Sequence, residues 1–141
     1  KYGETNSHLI PAVIRKIHEA KVAGSETVSI WGDGTARREF MNATDLAGFI
    51  YFAIDRLDQI PQNINVGLGR DYSIDEYYHA VASIVGFTGS FEYDLDKPVG
   101  MRQKLVDISQ LDSLGWRYRI NLTDGISGAY DFYKEDGNYE L

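Results

Sequence analysis

Apolar positions recur at helical spacing between Ser7 and Val22, where Leu9, Ile10, Val13, Ile14 and Ile17 form one stripe. Ser7 stands where an N-cap belongs, and Pro11 falls in the first turn, where a missing N–H costs nothing. Gly24 is placed to end this helix. The period then drops to two. Thr27-Val28-Ser29-Ile30-Trp31 predicts a strand, Gly32-Asp33-Gly34 a turn, and Arg38 to Met41 a short extended piece. Thr44 or Asp45 is the predicted cap of a strongly apolar helix running through Leu57. Asn63 to Gly67 reads as a short buried strand, and Ser73-Ile74-Asp75-Glu76 spells a capping box that opens a helix carrying Tyr77, Ala80, Val81, Ile84 and Val85. Ser90 to Asp94 predicts a further strand, Lys97 to Gly100 a loop, and Lys104 to Asp107 an extended stretch. A short helix is expected from Ser109 to Gly115, with Thr123 capping a last helix through about Lys134. Helices and short strands alternate without sequence repeats, low-complexity tracts or a flexible linker, so the expected class is α/β, with residues 1–141 forming one region.

With 141 residues, 43% of them hydrophobic and 25% charged, the chain can bury the core of one soluble domain. It has no apolar run long enough to span a bilayer, and its opening, Lys1-Tyr2-Gly3-Glu4-Thr5-Asn6, has no signal-peptide core, so the expected location is the cytoplasm. The chain starts without methionine and enters a helical pattern at once, which predicts a piece of something longer. The lack of cysteine removes disulfides, thiolate nucleophiles and cysteine zinc sites together, leaving His8, His18 and His79 as nitrogen ligands; no metal centre is expected. A net charge of −7 repels nucleic acid and anionic membranes at long range. Any anionic ligand therefore needs a local cluster of cations. Arg15 and Lys16, Arg37 and Arg38, and Arg102 and Lys104 are the candidates, and each pair read alone is equally a solvated face with surface ion pairs.

Four separated stretches carry a resemblance. They are Asn6-Ser7-His8-Leu9-Ile10-Pro11; Trp31-Gly32-Asp33-Gly34-Thr35 with Arg37-Arg38-Glu39-Phe40; Ile64-Asn65-Val66-Gly67; and Asp96-Lys97-Pro98-Val99-Gly100 with Lys104-Leu105-Val106-Asp107 and Leu114-Gly115-Trp116. In order and spacing these resemble the C-terminal part of GDP-fucose synthases, members of the extended short-chain dehydrogenase/reductases and the NAD-dependent epimerases/dehydratases. Relatives often carry His-Val-Asp or Tyr-Val-Asp where this chain has Asn42-Ala43-Thr44 before Asp45. The resemblance implies an α/β substrate-binding region with most of the Rossmann domain missing, on which residues from about 45 to 67 would dock as a helix and strand. It implies NADP(H) held mainly by that missing N-terminal domain, a GDP-sugar as partner, and a homodimer at full length. The implied activity is epimerisation and reduction of GDP-4-keto-6-deoxy-mannose to GDP-L-fucose. GDP-colitose synthesis or another nucleotide-sugar epimerase stands close to it, and a non-catalytic nucleotide-sugar binding module is the reading from another class.

The family's cofactor machinery is not found here. Gly67-Leu68-Gly69 is followed by Tyr72 where a third glycine should stand, so the dinucleotide fingerprint fails. Tyr130 and Lys134 fit Tyr-x-x-x-Lys, but no catalytic serine precedes them in the family order, and they are not read as catalytic.

By resemblance His8 is the proton donor of epimerisation. Inverting a carbon beside a ketone needs a base on one face and an acid on the other, and imidazole, with an unperturbed pKa of roughly 6.5, serves as either. Read alone, a histidine beside a helix N-terminus is a solvated or capping residue. Lys16, Arg38 and Lys104 match family positions that contact the diphosphate or sugar; Arg38 would orient the ligand with its planar fork while the lysines mainly neutralise it. Trp31 would line the sugar or nucleotide pocket, or else belong to the core. Asn6 and Ser7 would bond sugar hydroxyls, or simply cap the helix. Glu39 and Asp45 suggest paired carboxylates, but Asp45 is more economically a helix-start acid. His18 and His79 lie in helices without a motif, and Trp116 reads as a core plug.

Overall fold

The computed structural model describes residues 7–135. Two helices and two strands repeat the sequence pattern closely. Helix α1 (Leu9–Ala23) buries Val13, Ile14 and Ile17, and the strand β1 (Thr27–Trp31) buries Val28 and Ile30 while Thr27 and Trp31 face out. Between them Gly24 takes φ +67, the left-handed conformation that lets its N–H reach back to the last carbonyls of the helix. After β2 (Arg37–Arg38), α2 (Ala43–Ile54) and β3 (Tyr72–Ser73), the chain repeats the move with α3 (Ile74–Val85) and β4 (Ser90–Asp94). Strands β5 (Gln103–Lys104) and helices α4 (Ser109–Ser113) and α5 (Leu122–Glu135) complete it. The class is α/β.

Strands β1 and β4 run parallel in a two-stranded sheet, from Thr27 opposite Ser90 to Trp31 opposite Asp94. Parallel pairing demands a long crossover, which the intervening elements supply. Helices α1, α3 and α5 pack together, and α1 also lies on β1. Val81 and Val85 from α3, Ile126 and Tyr130 from α5, and the buried residues of α1 and β1 form one core. A second, three-stranded sheet has the order β3-β2-β5, antiparallel between β2 and β3 and parallel between β2 and β5.

Helix starts are where local reading and structure part. The capping box at Ser73 is present in full: its Oγ accepts from the Glu76 N–H at 3.0 Å, and its own N–H donates to Glu76 Oε2 at 2.6 Å. For α1, however, the cap position is His8, not Ser7, and its side chain makes no capping bond. Pro11 still falls in the first turn, so the shift costs no hydrogen bond. Helix α2 is capped by Asn42, whose side chain accepts from Thr44 N–H at 2.9 Å, ahead of the expected Thr44 or Asp45. It stops at Ile54 instead of Leu57, because the chain tightens there into turns in which Arg56 and Gln59 N–H bond carbonyls three residues back. Helix α5 begins at Leu122, and Asn121, not Thr123, accepts from the Asp124 N–H.

The short strands are the other correction. Pairing in β2 covers only Arg37 and Arg38, and in β5 only Gln103 and Lys104. Asn63 to Gly67 forms no strand: among the described residues no ladder reaches it, and Asn65 instead donates through its side chain to the Asp107 carbonyl at 3.1 Å.

Candidate functional site

Two carboxylates build the walls of the site. Glu39 follows β2 directly, and its Oε1 accepts from the N–H groups of Leu68 and Gly69 while Oε2 accepts from Val106 N–H at 3.1 Å. One side chain thus ties the turn after residue 66 and the segment after β5 to the end of β2. Gly67 is needed for this closeness, since a Cβ there would lie 2.7 Å from Glu39 Oε1 and 2.5 Å from a Val106 methyl. Asp45, buried in the first turn of α2, accepts from Arg119 N–H at 2.9 Å and Ile120 N–H at 3.0 Å. These are backbone clamps, and the helix-start reading of Asp45 captures only part of its role. Buried amides need such partners.

Between the clamped segments lies a pocket of about 260 Å³. His8, Ile10 and Pro11 form one side, Phe40, Met41 and Asn42 another, with Leu68, Arg70, Tyr72, Tyr118 and Ile120 among the remaining lining. His8 is exposed at its mouth. The lining is mostly apolar, with His8, Asn42, Arg70 and Asn121 among its polar groups, the composition of a small-molecule site.

The second group is a cationic face. Arg38 lies opposite Tyr72 in one ladder and opposite Lys104 in the other, so the three side chains leave the same side of the small sheet. The neighbouring register puts Arg37 and Gln103 on the other side, where both donate to Asp71: Arg37 Nε at 2.8 Å and Gln103 Nε2 at 2.6 Å. These bonds hold the Asp71 carboxyl below the usual carboxylate range, the Gln103 bond first and the Arg37 bond next. Arg37 is thereby a sheet-locking residue, while Arg38 leaves the sheet on the side of Tyr72, which lines the pocket.

The third group surrounds Trp31, which is 62% exposed and so does not belong to the core. Lys16 Nζ lies 6.0 Å from the ring centroid and Lys97 Nζ 5.6 Å from it. Lys16 also donates to the Ser29 carbonyl at 2.6 Å, and burial followed by the nearby Arg15 charge lowers its pKa. The loop from Leu95 to Arg102 connects this group with the cationic face: Val99 packs against Gly32, and Gly100 lies beside the Arg38 guanidinium. No hydrogen bond or ion pair joins Lys16 directly to Arg38, Lys104 or His8 among the described residues. Ser7 is half-buried at the start of α1, and Asn6 lies outside the described residues.

Several residues were not singled out by sequence. Lys97 lay in a resembling stretch without a role of its own, and Arg70, Tyr72 and Tyr118 carried no motif; only proximity through long-range pairing reveals them. The remaining histidines have ordinary partners. His18 Nδ1 lies 3.0 Å from the Tyr130 hydroxyl, and His79 pairs with Asp75 at 3.5 Å and meets Phe91 edge-on. Tyr130 is buried and Lys134 pairs with Asp131, so this Tyr-x-x-x-Lys pair serves helix packing. Trp116 packs edge-on against Phe49 and is half-buried, outside the main core. The Gly67-Leu68-Gly69 turn does not fit a dinucleotide, because the Leu68 and Gly69 amides that would face a phosphate are taken by Glu39.

Known proteins share this sequence pattern and fold. Residues 1–67 match the model of the NAD dependent epimerase/dehydratase family. The chain is 52% identical over 138 residues to a GDP-L-colitose synthase of Yersinia pseudotuberculosis, covering 98% of this chain and 45% of that protein. It is 54% identical over 132 residues to a GDP-L-fucose synthase of Azorhizobium caulinodans, covering 94% of this chain and 42% of that one. Among solved structures, a GDP-mannoheptose C4 reductase from Campylobacter jejuni with NADP bound superposes with a TM-score of 0.83 at 32% identity, over 95% of this chain and 48% of that one. The chain spans less than half the length of the curated relatives it matches. With a fold, a motif order and identities above one half that all agree, the chain belongs to the NAD dependent epimerase/dehydratase family.

Proposed function

We propose that this chain is the substrate-binding, C-terminal region of an NADP-dependent nucleotide-sugar epimerase/reductase that makes GDP-L-fucose from GDP-4-keto-6-deoxy-mannose. The observation that carries the reading is the exposed imidazole of His8 at the mouth of a mostly apolar pocket, with Tyr72 linking that pocket to the face bearing Arg38 and Lys104. Such a site can seat a sugar ring beside His8 while a diphosphate reaches the cations. A 4-ketone acidifies the hydrogens on the adjacent carbons. A second group takes an α-proton from one face to give the enolate, His8 delivers a proton to the opposite face, and the carbon inverts. Arg38 and Lys104 grip the diphosphate and fix the sugar's distance from His8, Trp31 and Lys16 hold the nucleotide end, and Ser7 and Asn6 meet sugar hydroxyls. NADPH, held by a part of the protein outside these residues, supplies the hydride for reduction.

Residues 45–67 would dock on that cofactor domain. The outer side of α2 supports this, since Leu46, Ile50, Tyr51 and Ile54 are all exposed there and leave an apolar patch in need of a cover. The full protein would act as a homodimer. No helix among the described residues is long and apolar enough to cross a membrane, which accords with a cytoplasmic enzyme.

A second reading within the class is GDP-colitose synthesis, favoured by the 52% identity to a protein of that name. Turnover of GDP-4-keto-6-deoxy-mannose against its 3-deoxy analogue by the full-length protein separates the two, and no turnover of the former sinks the leading reading. In the same protein His8→Asn should abolish epimerisation while sparing reduction; unchanged epimerisation would remove His8 from the mechanism.

A further inference from the structure

We propose that Arg70 is a third cation of the substrate site and contacts the ligand's diphosphate together with Arg38 and Lys104. The inference rests on the nucleotide-sugar reading of that site and adds a residue to it. Arg70 lines the same pocket as His8. Its guanidinium carbon lies 4.8 Å from the centroid of the Tyr72 ring, and Tyr72 is the residue directly across the ladder from Arg38. Arg70 is exposed, and no carboxylate pairs with it among the described residues, whereas Arg15, Arg37 and Arg117 all have acidic partners. A planar cation laid on an aromatic ring keeps its charge and its outward N–H donors while losing rotational freedom, which prepares it for an oxyanion.

Its backbone is fixed too. Gly69 takes φ +63, and the Glu39 carboxylate holds the amides of Leu68 and Gly69 just before Arg70. The same carboxylate holds Val106, two residues beyond Lys104, and follows Arg38 in the chain. One acid therefore spaces all three cations. A diphosphate, with non-bridging oxygens on two phosphorus atoms, is the ligand group that uses several fixed donors at once.

The test measures affinity of the full-length protein for GDP and for NADP⁺ by calorimetry, with Arg70→Ala, Arg70→Lys and Arg38→Ala. Arg70→Ala should raise the Kd for GDP about tenfold, flatten its salt dependence and leave the Kd for NADP⁺ unchanged. Arg70→Lys should fall between, having charge without the planar stack. If Arg38→Ala weakens GDP binding and Arg70→Ala does not, this inference fails while the reading of the site stands. If Arg70→Ala weakens NADP⁺ instead of GDP, the residue serves the cofactor and the inference is overturned. If the unsubstituted protein does not bind GDP, the reading of the site and this inference fall together.

Discussion

The two halves of this molecule are held by different forces. Around α1, α3 and α5 the chain buries aliphatic side chains to completion, with Ile14, Ile17 and Ile30 all at 0% exposure. Around the small sheet it relies on carboxylates: Glu39, Asp45 and Asp71 bind backbone amides or neighbouring side chains across long stretches of sequence. The strands there are two residues long and could not hold register by themselves. The lesson is that apolar burial makes the platform, and buried or half-buried acids set the position of the groups that face a ligand.

The largest effect should come from the platform. Ile17→Ala leaves a cavity among α1, β1 and α3 and should cost about 2–5 kcal/mol, read as a lower midpoint in chemical denaturation. A cost below the range of surface substitutions would break the distinction between the halves. Glu39→Gln comes next. It replaces an acceptor with an NH₂ group facing one of three amides, and should cost about 1–3 kcal/mol while loosening substrate binding. An unaltered midpoint with unaltered KM in the full-length protein would show that the clamp is dispensable. The smallest effect concerns pH. Asp71 has a folded-state pKa below its unfolded value, so its bonds to Gln103 and Arg37 stabilise the fold above the unfolded carboxylate range, and that stabilisation is lost as pH falls through the lower folded value. Asp71→Asn should therefore flatten the acid limb of stability against pH; an identical limb would assign it to other carboxylates.

What could be read from sequence follows the same division. The stripe of α1, the alternation of β1, the box at Ser73 and the strand at Ser90 are local patterns, and each predicts its element. The caps at Asn42 and Asn121 lie ahead of the expected residues, because neighbouring polar residues compete for the same role, and α1 starts after His8 with no side-chain cap. The clamps were invisible, since Glu39 reaches residues 68, 69 and 106, and Asp45 reaches 119 and 120. Arg70 gained meaning only once Tyr72 was placed across from Arg38. His8, Arg38 and Lys104 could be named early because a resemblance pointed to them, not because any spacing did.

The chain has no repeated sequence, yet the order helix, strand, strand occurs twice: α1, β1, β2 and again α3, β4, β5, with like elements side by side and both strand pairs parallel. In this internal duplication of architecture, Arg38 and Lys104 occupy corresponding places in the two copies. The distance between them is then set by the pairing of the two copies and by the Glu39 clamp. A shift of one copy against the other would slide one charge past the other and fit ligands of different size without any change in the charged residues.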